Sequence, residues 1–171
     1  SFLHEGLLKK GDDNQLELAL AENLKISPSE KEYLFTLKKA FWSNGDPIIA
    51  SDFVASWKEA LDPAFGLYNP EYFFLIENAK EFYEGKETDF SKVGIKALSD
   101  ELLKITLEVA APSFLELLTN KSFYLVSPDT LEKNGKCPSK LSGPFFIDSW
   151  SSQDHIALKK NTRYWDSAHV F

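Results

Sequence analysis

The sequence predicts an α+β fold, and three observations carry that expectation. Alternating apolar and polar runs pair up as strand hairpins, two stretches place apolar residues at helical spacing, and the composition is that of a packed domain. Among 171 residues there are 14 Phe, 6 Tyr and 4 Trp, with 43% hydrophobic and 26% charged. That profile excludes a disordered chain. A chain of this length buries about 70% of the surface that its unfolded form exposes, enough for one core or one core plus a fragment of a second.

The elements follow in order. Apolar spacing from Leu16 to Leu24 is mixed, and Ser27-Pro28-Ser29-Glu30-Lys31 makes a turn-rich break before the run Tyr33 to Lys38. That run alternates, with Tyr33, Phe35 and Leu37 on one face, so a hairpin around Pro28 is expected. Ser51 is placed to cap a helix that carries Phe53, Val54, Trp57, Ala60 and Leu61 and stops at Asp62-Pro63. Tyr72 to Tyr83 has a broad apolar stripe and reads as a second helix, with Gly85 to end it. Between them, Phe65 to Pro70 is an aromatic loop, and exposed aromatics on a rigid scaffold often line ligand sites. For Phe65 and Tyr72, core packing is the simpler role.

Ile95 to Leu98 and Leu102 to Val109 flank Ser99-Asp100-Glu101 and predict another β-hairpin. Pro112 suits the first turn of a short helix through Leu118, and Ser127-Pro128 opens a further helix that Gly135 would end. The tail changes character, with strands at Gly143 to Trp150 and His155 to Lys160 joined by a polar stretch. A domain boundary near Val126 is therefore expected.

The chemistry is sparse. A net charge of −7 has the wrong sign for neutralising phosphates, which argues against nucleic acid as a partner. Apolar runs such as Tyr72 to Ile76 fall far short of the roughly 20 residues that span a bilayer, so a soluble chain is expected. Methionine is absent even at position 1, which reads as an excised or processed piece. Cys137 is the only cysteine, so no internal disulfide and no thiolate metal site are expected. His4, His155 and His169 lie neither in a nucleophile elbow nor beside Cys137, so no catalytic residue is assigned and the chain does not read as an enzyme. Asp12-Asp13, Asp46 and Asp52 read as solvated turn residues, not as a metal site. No phosphate loop, dinucleotide fingerprint or EF-hand occurs, so no cofactor is expected. Asn120-Lys121-Ser122 fits a glycosylation acceptor, a three-residue match that arises often by chance.

One long segment carries a family resemblance. Trp42-Ser43-Asn44-Gly45-Asp46-Pro47-Ile48-Ile49-Ala50-Ser51-Asp52-Phe53-Val54-Ala55-Ser56-Trp57 resembles the signature of the peptide-binding proteins of bacterial ABC importers, the oligopeptide and dipeptide type of family 5. Four pieces agree in order: Glu5-Gly6-Leu7, the strand from Tyr33 to Leu37, Gly143-Pro144-Phe145 with Trp150, and Asn161 with Tyr164-Trp165-Asp166. Gly45 permits the tight turn after Trp42 and Pro47 blocks strand continuation, so these residues build scaffold; Trp42 and Trp57 are expected in the core. Asn44 stands where the family commonly has aspartate, and both form turns.

The resemblance implies a periplasmic-binding-protein-like fold of the class with an extra small domain. This chain would supply the small α+β domain, over 8–126, plus part of the first lobe in the flanking segments 1–7 and 127–171, with the second lobe of the same chain missing. It further implies a receptor that captures peptide between two lobes and delivers it to ABC permease membrane subunits. The periplasm or the outer face of the cytoplasmic membrane follows, with an N-terminal lipid anchor on the complete protein as one option. Alternatives are a family receptor for a nickel chelate, haem, opine or sugar, or an enzyme or adaptor built on the same fold. Alignment to the family implies that Tyr68 falls near a position where a tyrosine approaches bound peptide and Asn120 near another position at the cleft edge, and both are expected to bind ligand.

Overall fold

The computed structural model describes residues 2–65, 69–128, 140–151 and 155–170. Its centre is an antiparallel sheet of β3 (Ala21–Ile26), β4 (Glu32–Leu37), β5 (Ile95–Ala97) and β6 (Leu102–Thr106), in the order β3-β4-β6-β5. Period-2 alternation decides its faces: Tyr33 pairs with Ile105 and Phe35 with Leu103, and all four are buried together with Leu37. The hairpin around Pro28 forms as expected. Ser27 N–H donates to the Glu32 carbonyl at 2.9 Å, and Glu30 takes the left-handed turn conformation at φ 55°.

Helix α1 (Ala50–Ala60) covers the buried face and meets β5 and β6. Phe53 and Trp57, four residues apart, both point into the core. Trp57 is fully buried and Trp42 is 2% exposed, as expected of scaffold residues. The cap differs from expectation: Ile49, not Ser51, is the N-cap, and Ser51 is exposed within the first turn. Asp52 takes over the capping chemistry, because its carboxylate accepts the Ile49 N–H at 2.9 Å and the Trp42 indole N–H at 3.1 Å. An acid in the first turn also suits the helix dipole.

The expected helix from Tyr72 to Tyr83 is instead broken in two. A 3-10 helix over Pro70–Leu75 ends where Ile76 forms a β-bridge to Leu107, and α2 (Ala79–Tyr83) begins only after Asn78, which sits at φ 57°. The Ile76–Leu107 pairing and the Asn78 side chain, which donates to the Lys92 carbonyl at 2.8 Å, replace the helical bonds. Phe73, Ile76 and Ala79 are buried all the same. Gly85 ends α2 at φ 71°, as anticipated.

The hairpin β5–β6 matches its expectation, although regular pairing ends at Thr106. Pro112 precedes α3 (Phe114–Leu117) instead of lying in its first turn, and Ser113 is the N-cap residue. The helix expected after Ser127-Pro128 falls largely on 129–139, outside the described residues. Two short strands that the mixed spacing hid, β1 (Leu8–Lys10) and β2 (Leu16–Leu18), pair with each other, and β7 (Phe145–Ser151) pairs with β8 (His155–Lys160).

The terminal segments are knitted to the centre by main-chain bonds. Leu125 N–H donates to the Glu5 carbonyl at 2.8 Å, Gly143 N–H to that of Leu3 at 2.9 Å, and Phe145 N–H to that of Phe2 at 2.9 Å. The turn after Trp42 holds the far end of the chain: Ser43 N–H donates to the Leu141 carbonyl at 2.9 Å, Arg163 Nη1 donates to the Ser43 carbonyl at 3.1 Å, and Lys140 pairs with Asp46 at 2.8 Å. Among the described residues no helix is long and apolar enough to cross a membrane.

Candidate functional site

Three separated stretches meet around an open cavity of about 570 Å³. Lys10, at the end of β1, forms one side. Tyr72, from the 3-10 helix over Pro70–Leu75, forms another, and α3 with the turn that follows closes the third through Ser113, Glu116 and Asn120. Tyr124 and Lys121 complete the rim. Two further cavities among the described residues are smaller, about 320 and 280 Å³.

Asn120 reaches this cavity because the chain turns twice within a few residues. Its N–H closes the end of α3 on the Leu117 carbonyl at 2.9 Å, while its side-chain oxygen accepts the Ser122 N–H at 3.1 Å and caps the 3-10 helix Lys121–Phe123. An N–H donor on that oxygen fixes the amide orientation and leaves the Asn120 NH2 group as donor. Thr119 donates its hydroxyl to the Glu116 carbonyl at 2.7 Å and so satisfies the last turn of α3.

The charged rim is partly paired. Lys10 Nζ lies 2.8 Å from Glu116 Oε1, across 106 residues of sequence, and this hydrogen-bonded ammonium holds the Glu116 carboxyl below its ordinary range. Tyr124 is half-buried, and burial followed by the Glu5 charge pushes its phenol up, so the hydroxyl keeps its proton. The ring of Tyr124 lies on Gly6, where an added Cβ would approach its Cδ1 to 3.2 Å.

Behind the Tyr124 wall is a buried polar knot. The Glu5 carboxylate accepts the Tyr164 hydroxyl and the Gly6 N–H, the latter at 3.2 Å, while the Glu5 N–H donates to Ser142 Oγ at 3.0 Å. Ser142 in turn donates to the Leu125 carbonyl at 2.8 Å. Burial, and then the adjacent Glu5 charge, drives the Tyr164 phenol far above its usual range. Burial also lowers the His4 imidazole. The knot satisfies buried polar groups and joins Glu5-Gly6-Leu7 to the Tyr164 segment.

Of the two residues that the resemblance singled out, Asn120 lines the cavity, whereas Tyr68 falls within 66–68, outside the described residues. Tyr72 is half-buried, packing on the core with part of its ring and lining the cavity with the rest. Lys10, Glu116 and Tyr124 carried no signal in the sequence, because only the fold brings them together. Among the described residues no three His, Cys, Asp or Glu side chains are grouped as a metal site would require. Ammonium, amide and hydroxyl donors over an aromatic wall suit binding of a polar ligand.

Known proteins resemble this chain along nearly its whole length. Residues 15–170 match the family described as bacterial extracellular solute-binding proteins, family 5 Middle. The dipeptide-binding protein DppE of Bacillus subtilis (strain 168) is 33% identical over 172 residues, covering 97% of this chain and 32% of that protein. A probable deoxycholate-binding periplasmic protein of Escherichia coli (strain K12), YgiS, is 33% identical over 176 residues, covering 98% of this chain and 33% of the relative. The structure of Listeria monocytogenes OppA bound to peptide superposes with a TM-score of 0.88 at 31% identity, covering 98% of this chain and 34% of that one. The chain thus spans about a third of the length of the curated relatives it matches. With nearly its whole length matched in sequence and in fold, the chain belongs to the family 5 bacterial extracellular solute-binding proteins.

Proposed function

We propose that this chain forms one wall of the ligand cleft in the peptide receptor of an ABC importer. The observation that carries the reading is the convergence of Tyr72 and Asn120, from stretches about fifty residues apart, on one open cavity of a fold shared with a peptide-bound relative. In this reading Asn120 offers its amide to the ligand, and Tyr68, four residues before Tyr72, adds an aromatic contact. Residues 8–126 form the small domain, and 1–7 with 127–171 contribute to the first lobe. The remainder of a full-length receptor supplies the opposing lobe, and closure of the two buries the peptide. The receptor works without catalysis, outside the cytoplasmic membrane, and hands its cargo to the permease subunits.

A second reading, a non-peptide solute, is favoured by one observation, the similarity to a relative named for deoxycholate. Native mass spectrometry of the full-length receptor purified without refolding separates the two. A series of bound masses that fragment as peptides supports the proposal. A single non-peptide mass, unaffected by added peptide, refutes it.

A further inference from the structure

The cavity around Asn120 is asymmetric in charge and in hydrogen-bonding capacity. Its rim carries two cations, Lys10 and Lys121, against one anion, Glu116, in a chain whose net charge is −7. Glu116 is already engaged by Lys10 at 2.8 Å, so an incoming cation must displace an existing partner. Lys121 has no carboxylate partner among the described residues, so an incoming anion displaces none. The neutral groups add to the imbalance. Asn120 spends its oxygen on Ser122 N–H and keeps its NH2, and the hydroxyls of Ser113, Tyr72 and Tyr124 donate to no protein acceptor among the described residues. A site rich in free donors whose one carboxylate is occupied is complementary to an acceptor-rich anion.

We infer that this cavity receives a carboxylate of the bound peptide, with Lys121 as its charge partner and the Asn120 amide as its orienting donor. The inference rests on the peptide reading above. The carboxylate has two sources, an acidic side chain or the C-terminus, and both present the same two oxygens. Lys121 is exposed and lies at the rim, so it meets either group as the peptide settles and sheds water with it on closure.

The test is calorimetric titration of the full-length receptor with pentaalanine in which Glu or Gln replaces each position in turn, each as free acid and as C-terminal amide. At one position Glu binds about fivefold tighter than Gln, or the free acid about fivefold tighter than the amide, the ratio that one partly desolvated charge pair supplies. The position of the effect tells side chain from terminus. Lys121→Gln brings that ratio close to one and Lys121→Arg keeps it; because each ratio is read within one variant, differences in folded fraction cancel. Ratios unchanged by Lys121→Gln while peptides still bind overturn this inference and leave the peptide reading standing. Failure of every peptide to bind overturns both.

Discussion

Trp57 sets the most demanding test of the packing account. The side chain is fully buried, and its ring meets Phe53, Phe73 and Phe123 edge-on at centroid distances of 5.6, 6.0 and 5.5 Å. Its indole N–H donates to the Phe123 carbonyl at 3.2 Å. Replacement by alanine removes all three ring contacts, opens a cavity under α1 and strands that carbonyl. Deleting a buried aromatic costs about 3–5 kcal/mol. Against a total stability of about 5–15 kcal/mol, this is a large fraction. With a urea dependence of about 2 kcal/mol per molar, the unfolding midpoint of residues 1–171 falls by about 2 M. Circular dichroism at equal protein concentrations reads the shift. Trp57→Phe retains a ring but not the N–H, so it falls between wild type and Trp57→Ala. A Trp57→Ala midpoint within about 0.3 M of wild type would refute the reading that this aromatic cluster anchors α1 in the core.

Three further outcomes follow from the same contacts. Asp52→Ala leaves the Ile49 and Trp42 donors without their acceptor and should cost about 1–2 kcal/mol in urea unfolding, with Asp52→Asn retaining part of that. Gly143→Ala places a Cβ 2.5 Å from the Leu3 carbonyl carbon and 2.6 Å from the His4 nitrogen, so the two backbones must part; faster amide exchange at Gly143 and Phe145 is the expected signature. Tyr164 carries a phenol pKa raised in the folded state by burial and Glu5, so the folded form holds this proton more tightly than the unfolded chain. Its stabilisation is complete below about pH 10 and is lost as pH rises above that, by up to about 1.4 kcal/mol per pH unit. Tyr164→Phe should therefore be less stable than wild type at pH 7 yet show a shallower alkaline decline, and parallel pH profiles would contradict the role of the Glu5–Tyr164 pair.

The contrast between β4 and the stretch from Tyr72 to Tyr83 shows which features the sequence made legible. In β4 the alternation of Tyr33, Phe35 and Leu37 is both the local preference and the tertiary demand, so strand and buried face were readable together. From Tyr72 to Tyr83 the apolar spacing is helical, yet Ile76 is claimed by Leu107 across the core, and a long-range bridge outweighs local periodicity. Asn78, a residue type that tolerates left-handed backbone, was the local sign of the break. The cap of α1 moved by two residues because Asp52 serves Ile49 and Trp42 at once, a coupling across ten residues that a Ser-first capping rule does not contain. The strands β1 and β2 have three residues each, too few for a period to register. At the site, alignment to the family brought out Asn120, but Lys10 and Glu116 became partners only when β1 was laid beside α3.

In the proposed receptor the cavity around Tyr72 and Asn120 is a wall of the peptide cleft. Photocrosslinking tests it most directly: a pentapeptide with a photoreactive phenylalanine at each position in turn, bound to the full-length receptor, irradiated, digested and mapped by mass spectrometry. Adducts, competed away by unlabelled peptide, are expected on fragments that contain Tyr72 or Asn120. Competable adducts found only outside residues 1–171 would contradict it.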